Sequence, residues 1–323
     1  MDVGIFCAQS HVLIVAGKGG VGKTTMAAAL ARMASQTGRS VLIVELEGKS
    51  GITGAFGLDQ DLGYEEMELQ PAHRPEQGAV RARRITPDDA LVEYLEDHGL
   101  RRVSKRLVSS GVVDVVSTAI PGIRDVLVLG KIKQLEREEI ADLIVVDAPA
   151  TGHAITFLTS ASGLVNAARG GPLRTQASDV VDLLADPSRC RVMLVTLPEE
   201  MPVSETVESA FTLEDKAGVQ LGPVIVNATD PDPVGLERSA QEAAAGLDID
   251  PAVLTALEEA RVFRLQRHAL SASQIERLAR DLPLPQLLVP RMETQAIGPA
   301  ETDRLAEALA HAIGQLAPEV PVP

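Results

Sequence analysis

The stretch Gly17-Lys-Gly-Gly-Val-Gly-Lys-Thr-Thr25 constrains this chain more than any other. It follows an apolar, β-branched run, His11-Val-Leu-Ile-Val-Ala16, and precedes Met26 to Ala34, a strong helix-forming segment. A buried parallel strand, a glycine-rich loop and a helix, in that order, are the context in which such a loop binds phosphate. Phosphate oxygens need several backbone N–H donors converging on one point, and glycines let the chain curl that tightly without a Cβ clash. The helix beginning near Lys23 adds the positive end of its dipole. In a loop of this kind Lys23 reaches the β and γ phosphates, Thr24 places its hydroxyl on Mg²⁺, and Thr25 bonds near the α-phosphate. Gly17, Gly19, Gly20, Val21, Gly22, Lys23, Thr24 and Thr25 are therefore the expected nucleotide-binding residues.

Only 2% of the 323 residues are aromatic while 45% are hydrophobic, so the core must be built from Ala, Val, Leu and Ile. That suits a mostly parallel sheet flanked by helices. The expectation is an α/β P-loop NTPase fold with a helical subdomain inserted around residues 59–140. One domain is expected over residues 1–317, with inserted helices over about 86–140, a further helical segment over about 154–186, and an extended tail at 318–323. The formal charge, 30 − 45 = −15, disfavours nonspecific DNA and anionic-membrane binding. The basic clusters Arg81 to Arg84 and Arg101 to Arg106 read as solvated helix or strand faces. Cys7 and Cys190 are far apart without a C-x-x-C, which indicates neither a zinc site nor a disulfide framework. No apolar run approaches the ~18 residues of a membrane span, and no basic N-terminal region leads into a long apolar one. A cytoplasmic, soluble protein is expected.

Along the chain, Val41-Leu-Ile-Val44 reads as a second buried strand that ends in carboxylates, Glu45-Leu-Glu47, at the sheet edge where open α/β folds bind ligands. Residues 59–75 read as loop and short helix, Gly78 to Ile85 as a strand, and Thr86-Pro-Asp-Asp89 as the cap of a helix reaching about His98. Leu100 to Glu139 looks mainly helical, broken at Pro121-Gly122. Its many apolar positions, Val112 to Val128, fit either packing of an inserted helical unit or a groove for an apolar client. Leu143-Ile-Val-Val-Asp147 is a strand ending in the Asp expected near Mg²⁺. Gly152, just beyond it, would let a loop respond to the γ-phosphate. His153 reads as a structural hydrogen-bonding group holding that loop, with a catalytic role as the second reading. Arg191 to Thr196 and Gly222 to Asn227 supply two further strands. Asn227, at a strand end, is either an adenine contact or a turn-forming residue. Residues 233–281 read as helices, Leu284 to Val289 as a last strand, and Ala300 to Leu316 as a closing helix with Leu305, Leu309 and Ile313 on its apolar face.

Four segments together resemble the arsenical-pump ATPase family, which includes the tail-anchored-protein targeting ATPases. They are the loop Gly17 to Thr25, the strand-end segment Glu45 to Phe56, Pro121-Gly-Ile-Arg-Asp125, and Val145-Val-Asp-Ala-Pro-Ala-Thr-Gly-His153. The resemblance spans essentially the whole length and is nearest to stand-alone actinobacterial members, some of which pair with a paralogue. Lys18 gives the loop the deviant Lys-Gly-Gly-x-Gly-Lys-Thr form of a class of dimeric ATPases in which this lysine crosses to the partner's nucleotide. There it acts much as an arginine finger does. The likeness implies ATP and Mg²⁺ as ligands and a homodimer or paralogue heterodimer that closes on nucleotide. Lys18, Lys23, Glu47 and Asp147 are its catalytic group, Thr24 and Asp147 its metal-binding pair, and Asn227 its adenine contact. Glu47, Gly48, Thr151, Gly152 and His153 are its switch residues. Glu47 stands where the family has a water-positioning Asp, and Glu47-Gly-Lys-Ser50 replaces Asp-Pro-Ala-His.

Two functions follow as expectations. One is a Mg²⁺-dependent ATP hydrolase whose dimer closure acts on an unknown client protein. The other is a low-turnover nucleotide-binding subunit paired with an active paralogue, motivated by Glu47. Arsenite transport is not expected, because clustered cysteine thiolates are absent. No nucleic-acid partner and no integral membrane segment are expected, while transient contact with a membrane protein fits the family.

Overall fold

The computed structural model describes residues 1–46, 51–72, 74, 76–97, 99 and 122–317. Its centre is an eight-stranded sheet ordered β3-β4-β2-β5-β1-β6-β7-β8. The strands are β1 (Val12–Gly17), β2 (Val41–Glu45), β3 (Met67–Gln70), β4 (Val80–Arg84), β5 (Leu143–Ala150), β6 (Cys190–Thr196), β7 (Val224–Thr229) and β8 (Gln286–Pro290). Every pairing is parallel except β3 with β4, which is antiparallel. β1 lies between β5 and β6, and its six residues are all buried, which is why its sequence is an unbroken apolar run.

Alternation along the strands divides the core in two. Val41 and Ile43 of β2 face one side, Leu42 and Val44 the other. The first side is covered by α2 (Lys23–Ser35) and the last helix, α11 (Pro299–Gly314), with the short α1 (Val3–Cys7) alongside. Ala27 to Ala31 of α2 include no bulky residue but Leu30, so the helix lies close against the sheet and α11. The second side is covered by α5 (Ile123–Arg137), α6 (Thr151–Ala167), α7 (Pro172–Ala185) and α8 (Glu200–Ala217). α3 (Ile52–Ala55) packs on α2, α4 (Pro87–Asp97) on α5, and the 31-residue α10 (Pro251–Asp281) on α8 and the short α9 (Ala240–Ala243).

The sheet and its helical layers agree with the expected α/β P-loop NTPase fold. Leu305, Leu309 and Ile313 are buried on α11 as expected. Ile123, Val126, Leu127 and Val128 are also buried, packed against the sheet, whereas Val112 to Ile120 and Arg101 to Arg106 lie outside the described residues. Residues 233–281 hold two helices, α9 and the long α10, as expected. Two expectations change. Residues 67–70, within the stretch read as loop and short helix, form the antiparallel edge strand β3. Arg81 to Arg84 are not a solvated face: Arg83 is buried with its guanidinium 4.3 Å from the Tyr64 ring centroid, and Arg81 bonds Glu66 Oε2 at 2.5 Å. No helix among the described residues is long and apolar enough to cross a membrane.

Candidate nucleotide site

The loop sits at the carboxyl edge of the sheet, where β1 ends and α2 begins. Two of its glycines are dictated by close approach. A Cβ on Gly17 would meet the Val195 carbonyl oxygen on β6 at 2.3 Å, and one on Gly22 would meet Asn227 Nδ2 at 2.4 Å. Gly22 also holds φ 93°, a left-handed conformation that suits glycine and lets the chain turn directly into α2. Asn227, in β7 two residues before its end, donates from Nδ2 to the Val21 carbonyl at 2.8 Å and accepts from the Ala228 N–H at 2.8 Å. It therefore ties β7 to the loop from below, and its carboxamide keeps one more N–H and one more lone pair.

Lys23 opens α2, and its Nζ donates to the Lys18 carbonyl at 3.3 Å, so the lysine folds back over the loop. Thr24 donates from Oγ1 to Asp147 Oδ2 at 2.7 Å, which joins the first turn of α2 to the end of β5. The structure thus brings together Lys23, Thr24 and Asp147. Lys18 makes an ion pair with Glu205 on α8, in the same chain.

Thr151, Gly152 and His153 form the first turn of α6, entered straight from β5 with Ala150 as its extended cap. The sequence suggests a loop at Gly152. A helix begins there instead, and its N-terminus lies at the same sheet edge as the phosphate loop, with Ala150 Cβ 4.0 Å from the position a Cβ on Gly19 would take. His153 is exposed and lines an open pocket with Leu46, Ile85, Asp125 and Phe157. Burial pushes the Asp125 carboxyl up, against the opposing pull of Arg124 and His153. Glu47 and Gly48 lie outside the described residues.

The structure adds Glu205 to the residues the sequence points to, and gives the strand-end carboxylate Glu45 a partner in Arg84. Arg84 donates from Nε to Glu45 Oε2 at 3.2 Å, and Glu45 is 1% exposed. Burial pushes the Glu45 carboxyl up, and the charge of Asp147 adds to the rise while Arg84 opposes it. The repeated acidic spacing Glu45-Leu-Glu47 at a strand end is the signal in the sequence that points there. The residues present also fit Mg²⁺: the Thr24 hydroxyl and the largely buried Asp147 carboxylate are hard oxygen donors meeting at one point, and this ion is commonly held by one or two carboxylates together with substrate phosphates.

A glycine loop between β1 and α2, with a strand-end Asp bonded to its threonine, defines a P-loop NTPase. Within that class the chain belongs to the anion-transporting ATPase family, whose model matches residues 10–168. It is 39% identical to the ATPase BagA of Mycobacterium tuberculosis over 246 residues, 73% of this chain and 70% of that one. It is 30% identical over 248 residues to an arsenical pump-driving ATPase of Acidiphilium multivorum, covering 73% of this chain and 38% of the other. It is 29% identical over 177 residues to the ATPase get3 of Schizosaccharomyces japonicus, 52% of each chain.

Proposed function

We propose that this chain is a Mg²⁺-dependent ATP hydrolase that works as a dimer, with itself or with a paralogous chain, and whose closure on nucleotide acts on a partner protein. The observation that carries the reading is the 2.7 Å bond from Thr24 Oγ1 to Asp147 Oδ2 beside Lys23, which gathers a phosphate cradle, a cation and a metal-binding carboxylate at one sheet edge. Mg²⁺, bound with the nucleotide, neutralises charge on the β and γ phosphates. The loop N–H groups and the α2 terminus hold the phosphates, and Lys23 places its ammonium where negative charge gathers. Asn227 fixes the height of the loop through Val21 and offers its remaining donor and acceptor to adenine. Thr151 to His153, at the start of α6, stand where a change at the γ-phosphate reaches the second helical layer.

Dimerisation completes the site through Lys18. In the single chain it is paired with Glu205, so it must exchange that carboxylate for the partner's nucleotide. Met201, one turn before Glu205 on α8, is 60% exposed and supports a second chain covering this face. Cys7 and Cys190 are buried in core clusters on opposite sides of the sheet, so they offer no joint thiolate site, and the reading excludes metalloid binding. The pairing of Lys18 within one chain also favours a second reading, a subunit that turns over slowly until an active paralogue displaces Glu205.

Phosphate release by the full chain with Mg²⁺ and ATP tests the proposal. Lys23→Ala should lower turnover by about a hundredfold, the scale on which removing one transition-state contact acts. Unchanged turnover in Lys23→Ala, or nucleotide binding without any phosphate release in the presence of a paralogue, would contradict it.

A further inference from the structure

The carboxyl edge of the sheet carries a second acidic side chain that the phosphate-loop motif does not account for. On β2, Val41 and Ile43 point into the core beneath α2, so Glu45 lies on the same face by alternation. Leu143 and Val145 place Asp147 of β5 on that face too, and Val80 and Ala82 do so for Arg84 of β4. The parallel register sets these three side by side: Arg84 opposite Glu45, and Glu45 opposite Asp147. The result is a row, Arg84–Glu45–Asp147, across neighbouring strands, with Thr24 of α2 bonded to its last member.

One carboxylate oxygen in this row lacks a donor. Arg84 meets only Glu45 Oε2, while Glu45 Oε1 is buried and has no hydrogen-bond partner among the described residues. A buried carboxylate oxygen without a donor is unfavourable, and a second carboxylate on the next strand makes it more so. A divalent cation at the Thr24–Asp147 end would relieve this, because its bound waters donate hydrogen bonds that a lone carboxylate oxygen accepts.

We infer that Glu45 is a positioning residue for the divalent cation, its free Oε1 accepting from the cation's water shell while Arg84 fixes the carboxylate through Oε2. The inference rests on the nucleotide-site reading above and adds to Asp147 a second acidic residue at that end of the sheet. Arg84 then holds Glu45 in place and leaves one of its oxygens available. Replacing Arg84 disturbs the packing of β2 against β4 but spares the acidic charge.

The test is ADP binding to the full chain, followed with a fluorescent ADP analogue, first in EDTA and then across a Mg²⁺ titration. Glu45→Gln keeps shape and loses charge. It should raise the Mg²⁺ concentration at half-effect about tenfold, as loss of an outer-shell carboxylate does, while leaving ADP affinity in EDTA unchanged. Glu45→Asp should recover most of the Mg²⁺ response. Arg84→Gln should lower the thermal midpoint in EDTA yet keep the Mg²⁺ half-effect within a factor of about three. An unchanged Mg²⁺ half-effect in Glu45→Gln would overturn the inference, as would an equal shift in Arg84→Gln, which would mark Glu45 as a structural ion-pair partner. If Glu45→Gln does not fold, Arg84→Gln decides the matter: with Glu45 keeping its charge, a Mg²⁺ half-effect shifted about tenfold or more would overturn the inference, and one within about threefold supports it. Failure of the unaltered chain to bind ADP in either condition would instead strike the nucleotide reading itself.

Discussion

At the scale of single residues, the site separates into groups that the motif announces and groups that only the fold assembles. Lys23 and Thr24 are legible because their spacing within the loop is itself the physical requirement, and Lys18 because the loop resembles the deviant form of a dimeric class. Glu205 is not, because it meets Lys18 across 187 positions of sequence. Asn227 is legible as a strand-end carboxamide, but its bond to Val21 spans 206 positions and depends on how β7 lies beneath the loop. That contact yields a sharp expectation. Gly22→Ala must place a methyl against Asn227 Nδ2 in a left-handed backbone conformation, which costs on the order of 1–3 kcal/mol. ADP affinity should fall at least tenfold while circular dichroism retains the folded spectrum; wild-type affinity would mean that the loop relaxes freely. Glu205→Gln acts in the opposite sense. Freed from its ion pair, Lys18 becomes available to a second chain, so the fraction of dimer seen by sedimentation with Mg²⁺ and ATP should rise above that of the unaltered protein.

At the scale of elements, the phosphate loop is held by α2, and α2 is held by α11. Arg32 donates from Nη2 to Asp303 Oδ2 at 3.1 Å, and Leu309 and Ile313 are fully buried between the two helices. Leu309→Ala should therefore destabilise the chain by about 2–5 kcal/mol, read as a lower denaturant midpoint at unchanged slope. Because α2 carries Lys23 and Thr24, ADP should protect the variant less than it protects the unaltered chain. Long buried strands and amphipathic helices are readable in the sequence: β1, β2 and α11 each show a pattern about as long as the element. The missed elements are those whose pattern is too short to register. β3 has four residues, one of them Glu68, and is kept in place by pairing with β4 rather than by its own composition. α1 has five residues and depends on the Asp2 side chain accepting from the Ile5 N–H at 3.0 Å. Arg83 illustrates the same limit, since a buried arginine beneath Tyr64 follows from the fold of β4 and not from any periodicity.

At the scale of the whole molecule, the family, the sheet and the position of the loop follow from the sequence because they rest on strand, loop and helix in fixed order. What that order leaves open is how the two helical layers are tied to the site. The two cysteines report on the integrity of the whole. Burial pushes both thiols up to about 12, from a usual 9.0, so the native state holds both protons where an unfolded chain releases them. Their contribution to stability is complete below pH 9 and is lost as pH rises towards 12. Native protein should accordingly resist a thiol reagent at about pH 8, with Cys190 reacting only at the rate of global unfolding. Rapid labelling of Cys190 in the native state would contradict the packing of β6.

One chain supplies half of a catalytic site, on the proposal made above, and a second chain completes it through Lys18. Phosphate release from mixed variants tests this most directly. Lys18→Ala and Lys23→Ala are each expected to turn over about a hundredfold more slowly than the unaltered chain. In the mixture, the Lys18→Ala subunit keeps its own Lys23 and receives Lys18 from the Lys23→Ala subunit, so one complete site per mixed dimer should form and activity should return. A mixture no more active than either variant alone, or a Lys18→Ala protein with undiminished turnover, would contradict the account.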